Sequence, residues 1–266
     1  MARTCARSVW GVRHEGYLVF GRHSRACSDV GSAGAAAEIN VLGANAMMAA
    51  LKAMAGEFER TSGHKLTLSF GSAGQVKSRV EAGDATDVAI TSTSAMEDLI
   101  KQGKIAADSR VVVAKVGLGV AVRSGSPKPD ISTPDAFKNA LLAAKSIGRP
   151  DPAQAGAAGP YIAQLLERLG IDAEVKARSK LSAGPAIADH IAKGEADIGI
   201  TQASELVQRA GVDFVGPFPR ELQNMTVFAA GISASTKQRD AANASMKFLT
   251  EAVAVGEIKK TGMEPG

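Results

Sequence analysis

Short apolar strands alternate with amphipathic helices from Ile39 almost to the end of the 266-residue chain, and this alternation limits the fold most strongly. Residues 66–70 alternate apolar and polar side chains as a half-buried strand does. In the preceding segment, Leu51, Met54 and Phe58 recur at the spacing of one helical face. Strands separated by helices of this kind form largely parallel sheets with helices on both faces. The pattern therefore predicts an α/β fold.

Several local patterns predict where individual elements lie. Residues 173–176 predict a strand, and residues 111–122 predict one or two strands. Residues 240–260 predict a helix in one or two pieces. Asn45 follows a strand and is a candidate N-cap, while Ser94-x-x-Glu97 has the form of a capping box that begins a helix.

Cysteine and tryptophan occur only in the first 37 residues, as Cys5, Cys27 and Trp10. A body without cysteine excludes a disulfide scaffold, a cysteine zinc site and a thiol nucleophile. The two histidines of the body, His64 and His190, have no partners at metal-ligand spacing, so we expect neither a metal nor a cofactor. No apolar run reaches the length of a membrane span, which argues against membrane insertion.

The net charge of +4 comes mostly from residues 1–37, where five arginines face two acidic residues. Because the remaining body is nearly neutral, we expect no nucleic-acid partner. The segment has the basic start and the alanine-rich end of a secretory leader, but its apolar stretch covers residues 17–20 only. A miscalled start codon, a degenerate leader and a disordered extension all remain open.

Two segments of the body echo each other about 110 residues apart. Residues 82–91 and residues 193–201 both contain a helix end, glycine, an acidic residue, alanine, aspartate, an apolar strand and threonine. Common helix-to-strand turn chemistry explains this echo as well as two similarly wound lobes do.

Loops that follow the strands are the candidate ligand site, because ligands of open α/β sheets bind outside the carboxyl ends of the strands. These loops are rich in small residues, which allow backbone N–H groups at helix N-termini to approach an anion. Arg149 is the candidate counter-charge. The predicted ligand-binding residues are Asn45, Ala46, Ser72, Ala73, Gly74, Ser92, Arg149, Tyr161 and Gln202.

No catalytic constellation can be assembled from the sequence. A Ser–His–Asp triad would need His64 or His190, and neither follows a strand. A nucleophile elbow, a Walker A loop and a complete dinucleotide fingerprint are missing. Asp151 and Tyr161 are the catalytic candidates for proton transfer that the loops offer.

A series of motifs carries a family resemblance. Phe58-Glu-Arg-Thr-Ser-Gly63 precedes Phe70-Gly-Ser-Ala-Gly74, and residues 81–90 and Gly159-Pro-Tyr161 follow in order. In this arrangement the chain resembles, over residues 38–266, the molybdate-binding-protein-like family of periplasmic solute receptors. These receptors are the substrate-binding components of ABC transporters.

The resemblance implies a type 2 periplasmic-binding-protein fold. Its two α/β lobes, each a mostly parallel sheet flanked by helices, would close on an anion. By analogy, lobe 1 contains residues 38–119 and 228–266, lobe 2 contains residues 120–227, and residues 1–37 are leader-like or disordered.

The resemblance also bears on the ligand. Molybdate receptors of this family place hydroxyls in the first two loops and a tyrosine after the second echo strand. The matching positions here are Ala46, Ala73 and Gln202, which favours an organic carboxylate over a molybdate-like oxyanion. Other motifs, such as residues 99–104 and 204–206, are similar to a subgroup that includes bacterial aconitate isomerase.

Two functional hypotheses follow. The first is a monomeric periplasmic binding protein of an ABC-type transporter that holds a small anion between its lobes and delivers it to a permease. The second is an isomerase that moves a proton on an unsaturated tricarboxylate.

Overall fold

Two mixed β-sheets flanked by helices form the described part of the chain. The structure is a computed structural model and describes residues 36–153, 156 and 158–266. The predicted leader-like segment lies outside the described residues except for Ala36 and Ala37.

The strands are β1 (Glu38–Ala44), β2 (Lys65–Gly71), β3 (Val88–Ser92), β4 (Val111–Val116), β5 (Leu118–Arg123), β6 (Ile147–Pro150), β7 (Ser179–Ser182), β8 (Ile198–Gln202), β9 (Val212–Pro217), β10 (Thr226–Ile232) and β11 (Glu264–Pro265). The α-helices are α1 (Met48–Ser62), α2 (Ala73–Ala82), α3 (Thr93–Lys101), α4 (Pro134–Ala143), α5 (Ala158–Arg168), α6 (Asp172–Lys176), α7 (Gly184–Ala192), α8 (Ala203–Leu206), α9 (Arg239–Phe248) and α10 (Ala252–Lys260). A 3₁₀ turn, Asn45–Met47, joins β1 to α1.

The first sheet has the strand order β11-β4-β10-β3-β1-β2, and the second has the order β7-β6-β8-β5-β9. We call each sheet with its helices a lobe, lobe 1 and lobe 2. Parallel pairing is confined to β3-β1-β2 and to β7-β6-β8, and every other strand pair is antiparallel. The predicted α/β, two-lobed fold is confirmed. The sheets are mixed rather than mostly parallel, because β4, β5, β9 and β10, which flank the two changes of sheet, pair antiparallel with their neighbours.

The chain changes sheet at Gly117 and again between Pro217 and Thr226. The predicted boundaries lie two residues away, at 119/120 and 227/228. Gln223 joins the two connections: Leu118 N donates to Gln223 Oε1 at 2.6 Å, and Gln223 Nε2 donates to the Leu118 carbonyl at 3.0 Å. One side chain therefore ties the outgoing connection to the returning one.

Capping residues explain where helices begin and correct two local predictions. Ser92, rather than Ser94, caps α3 by accepting from Ala95 N. Asn45 makes no capping bond, because it lies inside the 3₁₀ turn. Ser72 forms a full capping box with Gln75 at the start of α2, which satisfies two otherwise unpaired N–H groups.

The strand predicted at residues 173–176 is wrong, since the segment is helix α6. Asp172 and Glu174 occupy its first turn, where acidic side chains favour a helix. Lys176 Nζ reaches Asp172 Oδ2 at 2.7 Å across one turn, and Val175 is the residue that packs inward. By contrast, the helix expected over residues 240–260 is confirmed as α9 and α10.

Each lobe has its own apolar core, built on the inward faces of its helices and strands. Phe58 and Phe248 meet edge to face in lobe 1, and Phe137 and Phe218 meet in lobe 2 with ring centroids 4.6 Å apart. Among the described residues, no helix is long and apolar enough to cross a membrane.

Candidate functional site

A small cavity, with a volume of about 20 Å³, lies between the two lobes. Each lobe contributes seven residues to its wall. The residues from lobe 1 are Ala44, Asn45, Ala46, Ser72, Ala73, Thr226 and Phe228, and those from lobe 2 are Pro150, Ala158, Ala183, Gly184, Thr201, Gln202 and Glu205. The wall is therefore built of small or uncharged side chains with one exception, Glu205.

Three helices begin at this cavity. The N-terminus of α2 comes from lobe 1, and those of α5 and α7 come from lobe 2, since Ala73, Ala158 and Gly184 all line the wall. A helix N-terminus carries unpaired N–H groups and a partial positive charge of about +0.5. The cavity is thus surrounded by positive dipole ends rather than by cationic side chains.

The helix starts at the cavity are capped differently. The Ser72 hydroxyl accepts from Gln75 N, so it satisfies one amide of α2 and leaves the first turn facing the cavity. Helix α7 starts after Ala183, whose side chain makes no capping bond. Pro185 follows Gly184 and has no N–H to satisfy, as suits the first turn of a helix.

The carboxyl group of Glu205 stands at the start of α7. Glu205 is 8% exposed, and its Oε2 accepts a hydrogen bond from Thr201 Oγ1 at 2.6 Å. A side chain at position 184 would place its Cβ 2.0 Å from Oε2 and 2.2 Å from Oε1. Gly184 is therefore the residue that makes room for this carboxyl group.

Burial raises the pKa of Glu205 to about 7. The hydrogen bond from Thr201, the attraction of Arg209 and the backbone of Gln202 oppose this rise without cancelling it. Arg209 itself is committed elsewhere, because its Nη2 donates to Asp189 Oδ1 at 2.8 Å. Among the described residues that line the cavity, Glu205 is the only ionisable one.

Five of the nine predicted ligand-binding residues line the cavity, from both lobes. They are Asn45, Ala46, Ser72, Ala73 and Gln202. Their roles as ligand contacts stay predictions, but the structure brings them together around one space.

The other predicted ligand-binding residues lie elsewhere. Gly74 lines an outer groove beside α2, and Ser92 is occupied as the N-cap of α3. Tyr161 packs on the core of lobe 2, and its hydroxyl donates to the Leu222 carbonyl at 3.0 Å. Neither Ser92 nor Tyr161 is among the cavity-lining residues.

Arg149 is buried inside lobe 2, at 2% exposure, and does not line the cavity. It belongs to strand β6 rather than to the loop that follows, and its Nε donates to Ser179 Oγ at 2.8 Å. Burial lowers the pKa of the guanidinium, while Asp172 and Asp151 attract its charge and act in the opposite direction. Among the described residues, its buried Nη1 has no hydrogen-bond partner, and the role of Arg149 as counter-charge for a ligand stays a prediction.

The predicted proton-transfer residues are also outside the cavity wall. Asp151 Oδ1 accepts from Ala153 N at 3.0 Å, which is a local turn contact, and Tyr161 is engaged as described. In the described part of the chain, no group of three or more His, Cys, Asp or Glu residues is arranged to hold a metal ion.

Sequence reasoning missed Glu205, and the reason is physical. An acidic residue in a short helix after a strand has the appearance of a solvated surface residue. The spacing Thr201-x-x-x-Glu205, directly after a strand end, was the available signal, since it lets the hydroxyl and the carboxyl meet. The burial of the carboxyl depends on Gly184, which is distant in sequence.

Comparison with known proteins agrees with this architecture. The family described as bacterial extracellular solute-binding protein matches residues 39–264. An aconitate isomerase of a Pseudomonas species is 31% identical over 233 residues, which cover 85% of this chain and 87% of the relative. The molybdate-binding protein of Azotobacter vinelandii is 32% identical over 175 residues, which cover 64% of this chain and 67% of the relative.

A solved structure shows the same arrangement of lobes. The periplasmic molybdate-binding protein of Azotobacter vinelandii aligns with a TM-score of 0.71 at 25% identity, over 85% of this chain and 98% of that one. The chain belongs to the family of bacterial extracellular solute-binding proteins.

Proposed function

We propose that the cavity between the lobes binds a small organic anion through a carboxylate, and that the protein is the periplasmic binding component of an ABC-type transporter with a permease as its partner. The observation that carries this proposal is the convergence of the N-termini of α2, α5 and α7 on one cavity. Unpaired N–H groups and helix dipoles favour an anion at such a point.

Side chains in the wall favour a carboxylate over a molybdate-like oxyanion. Ala46, Ala73 and Gln202 line the cavity without offering a hydroxyl. The Thr201 hydroxyl is already engaged, because it donates to Glu205, which leaves Ser72 and Thr226 as the other hydroxyls of the wall. A tetrahedral oxyanion needs donors around all its oxygens, whereas a carboxylate needs them at one end, where a helix N-terminus supplies them.

A thermal-shift screen tests this proposal. Molybdate, sulfate and a series of mono-, di- and tricarboxylates are compared at one pH and one ionic strength. A ligand at 100 times its Kd adds about 2.7 kcal/mol of stability, so a bound carboxylate raises the melting temperature clearly. Absence of a shift with every carboxylate, or a shift with molybdate alone, would overturn the proposal.

Ala73→Asp tests whether the cavity is the place of binding. Aspartate suits the first turn of a helix, so α2 stays folded while a negative charge enters the cavity. We expect the carboxylate-induced shift to disappear in this variant. Ala107→Asp places the same charge on an exposed residue away from the cavity and is expected to keep the shift.

A second function, an isomerase acting on an unsaturated tricarboxylate, is favoured by Glu205. A cavity carboxyl with a pKa of about 7 is suited to take and return a proton near neutral pH. In such a reaction Glu205 removes a proton from a methylene carbon next to a carboxylate, the double bond moves by one position, and the proton returns to the former vinylic carbon. Helix N-termini would stabilise the charge that develops.

NMR decides between the two functions. The protein is mixed with cis- or trans-aconitate in D₂O, and interconversion and deuterium incorporation are followed. Turnover that is lost in Glu205→Gln and kept in the exposed control Glu221→Gln supports the isomerase. Carboxylate binding without interconversion at high protein concentration rejects the isomerase and leaves the binding protein.

A further inference from the structure

We propose that Glu205 is a ligand-binding residue that carries a proton in the complex, so that the anion enters the cavity together with one proton. This inference rests on the proposed binding of a carboxylate between the lobes. It assigns a role to the one ionisable side chain that lines the cavity among the described residues.

The geometry leaves one oxygen of Glu205 for the ligand. Thr201 Oγ1 donates to Oε2 at 2.6 Å, and both carboxyl oxygens lie against Gly184, where a side chain would overlap them. The Gln202 backbone also hydrogen-bonds this carboxyl, and among the described residues no side chain donates to Oε1, which belongs to a residue that lines the cavity. A proton on Oε1 would thus be donated to a ligand oxygen.

Charges around Glu205 require that proton when an anion is present. No lysine, arginine or histidine is found among the described residues of the cavity wall. Of the nearby ionisable groups, Arg209 is paired with Asp189 of α7, and His190 of the same helix is 2.7 Å from Glu195. The 3₁₀ turn, β1 and β10 bring no ionisable residue to the wall. An ionised Glu205 would therefore repel a bound carboxylate at close range, and no cationic side chain of the described wall would offset that repulsion.

Protonation converts that repulsion into a hydrogen bond. A neutral carboxyl donates an O–H to the ligand carboxylate, which is a short, charge-assisted bond. Burial, which raises the pKa of Glu205, makes this protonated form accessible near neutral pH. At pH 8 most of the free protein has lost this proton, so binding takes up close to one proton from solution. Below pH 6 the proton is already present and binding takes up none.

Isothermal titration calorimetry at pH 8 measures this proton directly. Trans-aconitate is the probe, because its three carboxyl groups are all ionised at this pH and any proton taken up belongs to the protein. Titrations in Tris and in HEPES, which differ in ionisation enthalpy, give the number of protons bound. We expect close to one proton per site at pH 8 and close to none at pH 5.5, with the affinity falling up to tenfold per pH unit above pH 7.

Glu205→Gln provides the matched variant. The amide keeps the size and a donor but cannot titrate, so we expect binding without proton uptake and an affinity that does not change between pH 6 and 9. Glu221→Gln changes an exposed residue outside the cavity and is expected to behave as the wild type.

The outcomes separate this inference from the proposed function. Binding by the wild type at pH 8 without proton uptake overturns the role of Glu205 and leaves carboxylate binding intact. Proton uptake that persists in Glu205→Gln also overturns it, because another group must then carry the proton. If neither trans-aconitate nor any other carboxylate binds at pH 5.5 or 8, the proposed function fails and this inference fails with it. The wild-type measurement alone decides the matter if the variant does not fold.

Discussion

Replacing Glu205 by glutamine should change how the stability of the ligand-free protein depends on pH. The pKa of Glu205 is about 7 in the folded protein and 4.5 without the influence of the fold. Between pH 4.5 and pH 7 the folded protein holds a proton on Glu205 that the unfolded chain has released. The free energy of unfolding therefore falls as the pH rises through this range. Each unit of pKa difference corresponds to about 1.36 kcal/mol, which makes the total loss about 3 kcal/mol. The loss is complete above pH 7 and absent below pH 4.5.

Urea unfolding at a series of pH values from 4.5 to 8 measures this effect in the wild type and in Glu205→Gln. All other carboxyl groups titrate in both chains, so the difference between the two free energies isolates Glu205. We expect this difference to move by about 3 kcal/mol in favour of the variant, which corresponds to about 6–12 °C in melting temperature for a domain of this size. Glu221→Gln is exposed and should give a constant difference. A constant difference for Glu205→Gln as well would refute the reasoning, because the carboxyl would then be as well solvated in the cavity as in the unfolded chain.

Three further substitutions test the packing around the cavity and the connections. Gly184→Ala puts a Cβ against the Glu205 carboxyl and should lower the free energy of unfolding, measured in urea, by about 1–3 kcal/mol. Gly56→Ala, whose Cβ meets open space on α1, should not lower it. Equal effects of the two substitutions would contradict the close approach of Gly184 to the carboxyl. Ser72→Ala removes the capping box of α2 and should lower the free energy of unfolding, measured in urea, by about 1 kcal/mol. Ser94→Ala, at the position where the sequence alone predicts a cap, should lower it little. A larger effect at Ser94 would contradict the assignment of the caps. Gln223→Ala removes both hydrogen bonds to Leu118, so it should lower the free energy of unfolding by about 1–2 kcal/mol and speed the hydrogen exchange of the Leu118 amide. Unchanged exchange would show that other contacts hold the connection.

The spacing of apolar residues and the positions of the strand ends predicted the buried face of α1 and several residues that line the cavity. The helical spacing of Met54 and Phe58 marks the side of α1 that is buried in lobe 1, and both residues are almost fully enclosed there. Asn45, Ala46, Ser72, Ala73 and Gln202 were predicted because they follow strands, and the strands end at the cavity. A helix face and the end of a strand both depend on residues that are close in sequence, so sequence patterns predict them.

The features that the sequence did not predict share the opposite property. Arg149 was predicted in a loop, but it lies in β6 beside β7, and its Nε donates to Ser179 inside lobe 2. Residues 173–176 are too few to show a period, and the segment forms the short helix α6, in which Asp172 pairs with Lys176. Glu205 became a cavity residue because a glycine from another helix leaves space for it. The outcomes for Arg149 and Glu205 are set by contacts between distant parts of the chain, whereas the helix at residues 173–176 is a local feature.

An ionised Glu205 and a bound anion would both be stabilised by the positive partial charge of the helix N-termini at the cavity. The two negative charges therefore compete for the same stabilisation. Three helix N-termini supply a partial charge of together about +1.5, and the described wall contains no cation to add to it. An ionised Glu205 contributes −1 and neutralises most of that field before a ligand arrives. When the carboxyl is protonated, the full field of the dipoles acts on the ligand, and the O–H adds a donor to it. We expect a cavity with alanine at this position to bind anions at any pH. In our proposal this cavity binds them in proportion to the protonation of Glu205, which the calorimetric titrations of the wild type and of Glu205→Gln measure.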